Sequence, residues 1–302
     1  MRERSGATWI LTSRAEHPAV TKTVEHLAKY HGFQIEWLEV DETGMVPAEV
    51  VAKAICHETA LVSVMYANNE IGTVNPIHEI AAICREAKVP FHTDAVQAAA
   101  YLPVDVDSLG VELLALGAHK FYGPKGAGAL YIRKGTGIVP HLTGGGQEFG
   151  FRAGTSNVPY IVGLAESLRL TVEEREVRTL HVQPMRDHMI GTVLESIPEV
   201  RLTGHPLARL PQHASFVFRG VDGNVLLQLL DAAGFACSSG SACKTGNPEP
   251  SEVLKSLKLP REWALGSLRV TLGVQTTTTD VEQFLEVLPG IVEKARKLTA
   301  HG

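Results

Sequence analysis

The chain has 302 residues, 44% of them hydrophobic and 20% charged, enough to bury the core of one large domain and a smaller one. A net charge of -5 and the lack of a lysine/arginine block argue against a broad nucleic-acid footprint and favour small molecules or proteins as partners. No apolar run approaches bilayer-spanning length, and the segment after Met1 to Ser5 is too short for a signal-peptide core, so the cytoplasm is the expected location.

Short β-rich runs alternate with amphipathic stretches along the first part of the chain. Trp9 to Thr12 precedes a helical pattern from His17 to Tyr30, Ile35 to Val40 precedes Ala48 to Cys56, and Leu61 to Tyr66 precedes Ile77 to Ala87. Pro90 to Thr93 and Glu112 to Leu116 continue the strands. The expected architecture is α/β, with a mostly parallel sheet whose strand ends gather polar residues on one rim, where ligands bind. After Gly144-Gly145-Gly146 and Gly154, a long helical pattern from Tyr160 leads out of the sheet. Val200 to Leu202, Ala214 to Phe218, Phe235 to Ser238 and Ser267 to Leu272 read as strands of a smaller α/β domain. The expected division is 1–174 for the large domain and 175–302 for the small one. Thr279 and Glu282 form the expected capping box of the last helix.

Several positions along this pattern carry reactive chemistry. Lys120 leaves an apolar run, follows His119 and enters the glycine-rich Gly123-Pro124-Lys125-Gly126. Burial beside a polarising group would free its amine to hold an aldehyde as a Schiff base, whereas the bland reading is a solvated loop lysine. Asp94 ends a hydrophobic strand with Gln97 three residues on, and a carboxylate there can hold a pyridinium nitrogen protonated, as pyridoxal phosphate chemistry requires. The alternative is an Asp that caps the next helix. Asn68-Asn69-Glu70-Ile71-Gly72 offers amides to a ring hydroxyl, or simply makes a turn. His17 stands where strand passes to helix, able to stack on an aromatic ring or merely to start the helix.

Four cysteines, Cys56, Cys84, Cys237 and Cys243, are too few for a disulfide scaffold and lack zinc-ribbon spacing, and thirteen histidines are scattered, so no metal is expected. Cys237 lies in an apolar stretch and reads as buried and inert. Cys243, in Ser238-Ser239-Gly240-Ser241-Ala242-Cys243-Lys244, is flanked by small residues and a lysine that favours its thiolate; a passive surface cysteine is the alternative. Arg269 sits inside an apolar strand and needs a carboxylate partner, either internal or on a substrate.

Taken together, Glu16-His17, Asn68 to Gly72, His92-Thr93-Asp94-Ala95-Val96-Gln97, His119-Lys120, Arg152-Ala153-Gly154-Thr155, Ser238 to Cys243 and Arg269 resemble the cysteine desulfurases, class V fold-type I pyridoxal phosphate enzymes. The order and approximate spacing match over nearly the whole chain. The resemblance implies pyridoxal 5'-phosphate as cofactor and L-cysteine as substrate, converted to alanine for iron-sulfur cluster assembly or another sulfur-transfer pathway. It makes Lys120 the Schiff-base lysine and α-proton acceptor, His17 the ring-stacking group and Asp94 the partner of the ring nitrogen. Asn69 and Gln97 would contact the ring oxygen, His119 would lie near the phosphate, and Arg269 would take the substrate carboxylate. Thr155 would reach the cofactor phosphate of a neighbouring subunit, which implies a homodimer. Cys243 would accept the sulfur as a persulfide and pass it to an acceptor or scaffold protein.

Two departures accompany the match. The family's amino-terminal strand-turn-helix, whose helix start binds the phosphate, has no counterpart before Trp9, and Gly117 stands where the family places a Ser or Thr. A selenocysteine lyase remains an alternative with the same lysine chemistry, and a shortened, inactive dimerising or scaffold-binding relative is a second.

Overall fold

The computed structural model describes residues 6–242 and 249–300. Alternating elements open the chain: β1 (Trp9–Ser13), α1 (Pro18–His31), β2 (Gln34–Leu38), α2 (Ala48–Ala54), β3 (Thr59–Ser63), α3 (Ile77–Glu86), β4 (Phe91–Asp94), α4 (Val106–Leu109), β5 (Leu113–Gly117) and β6 (Gly128–Ile132). The bounds of α1 follow from its termini. His17 accepts the Ala19 N–H, Pro18 fills the first turn where no amide donor is needed, and Gly32 closes the helix in the left-handed conformation. Every residue of β3 is buried, as befits an interior strand of a parallel sheet.

The strands lie in the order β2-β1-β3-β4-β5-β6. All neighbours are parallel except β6, which runs antiparallel to β5. Parallel strands exit at one edge, and the chain reverses its direction of travel across the sheet between β1 and β3. In such sheets a reversal of this kind marks the usual ligand site, at the carboxyl ends of the strands. Ile10, Leu11, Val62, Phe91 and Leu114 fill the interior, each large apolar side chain contributing roughly 1.5–3 kcal/mol by burial.

The chain continues through α5 (Val158–Ser196), β7 (Val200–Leu202), β8 (His213–Phe218), α6 (Gly223–Ala232), β9 (Ser241–Ala242), β10 (Glu249–Pro250), α7 (Glu252–Ser256), α8 (Arg261–Ala264), β11 (Ser267–Thr271) and α9 (Thr278–Ala300). An antiparallel sheet, β11-β8-β7, carries the second core with Phe216, Phe218, Leu226, Leu230, Leu288 and Val292 buried. β9 and β10 form a separate two-residue ladder. No described helix is long and apolar enough to cross a membrane.

Two compact units result. One comprises the chain through Leu38, Val46–Tyr66 and Asn75–Arg175; the other comprises Glu39–Met45, Ala67–Val74 and the chain from Glu176. The main division lies one residue beyond the expected 174/175, and two short segments of the first half belong to the second unit.

Two expectations are corrected. Phe235 to Ser238 is no strand: only Ser238 pairs, through a single bridge to Arg269, while Phe235 turns its ring against Phe284 with centroids 5.5 Å apart. The capping box of α9 is Thr277 with Asp280, not Thr279 with Glu282. The Thr277 hydroxyl accepts the Asp280 N–H at 3.2 Å, and the Asp280 carboxylate accepts the Thr277 N–H at 2.7 Å. Glu282 instead meets His188 Nε2 at 2.9 Å. Thr277→Ala should therefore lower the urea unfolding free energy by about 1 kcal/mol and Thr279→Ala by less than about 0.5 kcal/mol; equal costs would refute this assignment of the cap.

Candidate active site

In the first unit, the carboxyl-terminal edge of the sheet collects the exits of β1, β3, β4 and β5. Backbone hydrogen bonds continue the ladder past the strand ends, with Tyr66 N donating to Asp94 O and Ala95 N to Ala115 O. Glu16 follows β1 and is almost wholly buried; its Oε1 accepts the Met65 N–H at 2.6 Å, while Oε2 is buried without a partner. Burial pushes its pKa up to about 8, and the nearby charge of Asp94 adds to the rise. Glu16 is thus a neutral acid at pH 7. Beside it, His17 Nδ1 accepts the Ala19 N–H at 3.1 Å. A neutral ring therefore carries its proton on Nε2, and the ring itself is exposed.

Asp94 ends β4 half-buried. Its Oδ1 accepts the Val96 N–H at 2.9 Å, closing a tight turn, and its other oxygen has no partner among the described residues. The bland capping reading thus accounts for one oxygen only. His92 is held by Ser63, Nδ1 to Oγ 2.9 Å, and burial depresses its pKa against the pull of Asp94. Gln97 is half-buried and makes no capping bond to the short 3-10 turn Ala98–Ala100 that it precedes.

Lys120 and His119 lie in a second 3-10 turn, Ala118–Lys120, directly after β5, and both are exposed. Since Asp94 and Ala115 are register partners, Asp94 and Lys120 leave neighbouring parallel strands at the same edge. Gly117 brings the backbone close to its neighbours: a Cβ there would stand 3.3 Å from His119 Cε1 and from Val96 Cγ1. Thr155 is exposed in the loop before α5.

In the second unit, Asn69 and Arg269 come together. Arg269 Nη1 donates to the Asn69 carbonyl oxygen at 2.8 Å, and His213 Nε2 reaches the same oxygen at 3.4 Å. Asn69 Oδ1 is buried and unpartnered. Burial depresses the Arg269 pKa, partly offset by the attraction of Glu70. No carboxylate pairs with Arg269 among the described residues. Complete burial, with Arg209 and Arg269 nearby, pushes His213 down to about 3, so it is a neutral hydrogen-bond donor. Cys237 is half-buried with its thiol pushed up to about 11 by desolvation. Cys243 and Lys244 lie outside the described residues. Among the described residues, no group of three or more His, Cys, Asp or Glu could hold a metal ion.

The sequence pattern carried no signal for His213, an ordinary strand residue until its contacts are seen. Glu16 stood only as part of a motif, and its proton is a consequence of burial that residue type does not reveal.

The aminotransferase class-V family model matches residues 4–284. The chain belongs to this family. It is 46% identical over 292 residues to a cysteine desulfurase IscS of Dictyoglomus turgidum, across 97% of this chain and 74% of that one. The IscS of Methanosarcina thermophila is 47% identical over 290 residues, 96% and 71% of the two chains. Among solved structures, a NifS-like protein superposes with a TM-score of 0.87 at 33% identity, covering 95% of this chain and 75% of that one. A second, SspA in complex with cysteine, gives 0.75 at 30% identity, covering 91% and 76%. Family members depend on pyridoxal 5'-phosphate.

The residues fit that cofactor. In the first unit, the unpartnered Asp94 oxygen suits a protonated ring nitrogen. Gly117 contributes no hydroxyl to a phosphate.

Glu16 gives the first unit a pH signature. Because its folded pKa, about 8, lies above its ordinary value of 4.5, the folded state binds the extra proton, and stability falls as pH rises from about 4.5 to 8. Urea unfolding of Glu16→Gln should show a flatter dependence between pH 5.5 and 7.5 than the parent protein, and parallel profiles would contradict the neutral acid.

Proposed function

We infer that the chain catalyses cysteine desulfuration with pyridoxal 5'-phosphate, converting L-cysteine to L-alanine and passing the sulfur to its own Cys243. The observation that carries this reading is the exit of Asp94 and Lys120 from adjacent parallel strands at one edge, in a chain 46% identical to a cysteine desulfurase. Lys120 would hold the cofactor, with Asp94 at the ring nitrogen, His17 against the ring, Asn69 and Gln97 at the ring oxygen and His119 at the phosphate. When bound, the cofactor supplies an electron sink for the charge released at the substrate α-carbon.

The chain's own groups do the rest. Arg269 is half-buried and spends one donor on the Asn69 carbonyl, so the guanidinium is fixed in place with donors left for the substrate carboxylate. The Lys120 amine accepts the α-proton at Nζ. Cys243 thiolate attacks the substrate sulfur: the new S–S bond forms, the carbon–sulfur bond breaks, and its electron pair is protonated to leave alanine. The balance is L-cysteine plus enzyme thiol giving L-alanine plus enzyme persulfide. An acceptor or scaffold protein then removes the sulfur for iron-sulfur cluster or other sulfur-transfer pathways.

A homodimer is part of the same proposal, supported by exposed apolar residues close in sequence to Thr155. Val158, Tyr160, Ile161 and Val162, at the start of α5, are all exposed apolar residues, and Phe149 is 99% exposed nearby in sequence. A second copy would cover this stretch and bring its Thr155 to the cofactor phosphate.

The chain loaded with pyridoxal phosphate should show a visible absorption band that Lys120→Ala abolishes. Cys243→Ser and Arg269→Leu should each lower cysteine turnover by about a hundredfold or more, the latter with a raised KM. A band indifferent to Lys120 would support the inactive, dimerising alternative, and strict use of selenocysteine regardless of Cys243 would support a selenocysteine lyase.

A further inference from the structure

Glu70 has no part in the chemistry above, yet its carboxylate sits where three functional parts of the second unit meet. Its Oε2 accepts the Ser251 hydroxyl at 2.5 Å, and Ser251 in turn caps α7 by accepting the Leu254 N–H at 3.2 Å. The same oxygen lies against Gly240, where an added Cβ would come within 2.8 Å of it. Gly240 immediately precedes β9 and Ser251 immediately follows β10, so one carboxylate binds the residue after β10 and borders the residue before β9. β9 and β10, the stems on either side of Cys243 in sequence, are joined by only two register pairs, Ser241 with Pro250 and Ala242 with Glu249. So short a ladder cannot fix its own position, and Glu70 supplies an anchor from outside it.

Glu70 is also the carboxylate that attracts Arg269, without forming an ion pair with it. It neighbours Asn69, whose carbonyl holds the Arg269 guanidinium. Its own pKa is raised by burial, with the Ser251 hydrogen bond and Arg269 opposing the rise.

We propose that Glu70 is a positioning residue that registers both stems of the cysteine segment and, through its attraction for Arg269, competes with the substrate carboxylate for that guanidinium. The proposal rests on the reading of Arg269 as the carboxylate-binding group. It separates two effects that a purely structural glutamate would not separate. The Ser251 contact governs how the cysteine segment is held, and the negative charge governs how tightly Arg269 takes a carboxylate.

The test uses the holoenzyme and four variants. L-alanine is titrated against the visible spectrum to measure carboxylate binding. Turnover with L-cysteine is measured, and Cys243 alkylation by iodoacetamide is followed by peptide mass, with exposed Cys56 as the internal reference. Glu70→Gln keeps an acceptor for Ser251 but loses the charge, and should tighten alanine binding by about three- to tenfold while keeping higher turnover than Glu70→Ala. Ser251→Ala should leave alanine binding within about twofold, yet lower turnover about tenfold and change the Cys243 alkylation rate relative to Cys56. Glu70→Ala should combine both effects. Unchanged or weaker alanine binding in Glu70→Gln, or parent-like turnover and alkylation in Ser251→Ala, overturns the proposal. Arg269→Leu separates the two failures: if it leaves alanine binding intact, the reading of Arg269 itself falls and this proposal with it.

Discussion

Parallel pairing with the register kept past the strand ends is the constraint on which the first unit depends. Strands that share a direction deliver their exits to one edge, but a site needs those exits held in step. Here the Tyr66 to Asp94 and Ala95 to Ala115 backbone bonds extend the ladder beyond β3, β4 and β5. At the reversal between β1 and β3 the connections to β2 and to β4 leave in opposite directions across the sheet. Glu16 spans this reversal, since it follows β1 and grips the Met65 amide just after β3. Its retained proton makes the grip compatible with burial, and it spares Asp94 a second negative charge in the same low-dielectric region.

The second unit meets a different constraint, that of burying cations without matching anions. Arg209 is nearly inaccessible and is satisfied by carbonyls: His213, His205, Ile71 and Thr203 oxygens lie 3.1 to 3.3 Å from its nitrogens. Desolvation, with Arg186 nearby, lowers its pKa to about 10. The segment 67–74 provides several of the carbonyls that make this possible, Ile71 O to Arg209 and Asn69 O to Arg269. Such an approach demands a bare backbone: a Cβ on Gly204 would fall 2.1 Å from Ile71 O, and one on Gly72 would fall 2.7 Å from His213 Nδ1. The Asn69 side chain is thus aimed by backbone contacts on its own carbonyl, and the short polar stretch behaves as part of the second unit although its sequence neighbours belong to the first.

The elements that read clearly in the sequence were those whose burial repeats with a simple period. β1, β3, β4 and β5 announce themselves as apolar runs, and α1 carries its proline start and glycine stop in the sequence. What failed were local signals with several possible owners. Thr277, Thr278 and Thr279 are equivalent in composition, and the geometry of Asp280 decides which caps α9. Phe235 is apolar enough for a strand, but its ring finds Phe284 and the backbone leaves the ladder. Residues 39–45 and 67–74 could not be assigned to the second unit from the chain order, because contacts made far along the sequence place them there, such as Lys258 with Glu39 at 3.1 Å. The site residues were legible as a set, through their order and spacing, far better than any was alone. His17 shows why: its ring does start a helix, as the plain reading holds, and that same bond to Ala19 fixes which nitrogen keeps the proton.

The choice of nucleophile can be argued from the thiols themselves. Desolvation raises Cys84 to about 12 and Cys237 to about 11, so neither supplies appreciable thiolate at neutral pH. Cys56 is exposed, but it lies three residues before β3 begins, at the edge of the sheet opposite the exits of Asp94 and Lys120. Its sulfur receives the Thr59 hydroxyl at 3.6 Å, a contact that belongs to the turn leading into the strand. In the proposed reaction the substrate sulfur is held at the edge where Lys120 exits, away from Cys56. Cys243 is the remaining cysteine, and the strands that flank it in sequence, β9 and β10, pair with each other in the unit that holds Arg269. Desolvation thus argues against Cys84 and Cys237, and its place ahead of β3 argues against Cys56, which favours the proposal that Cys243 accepts the sulfur.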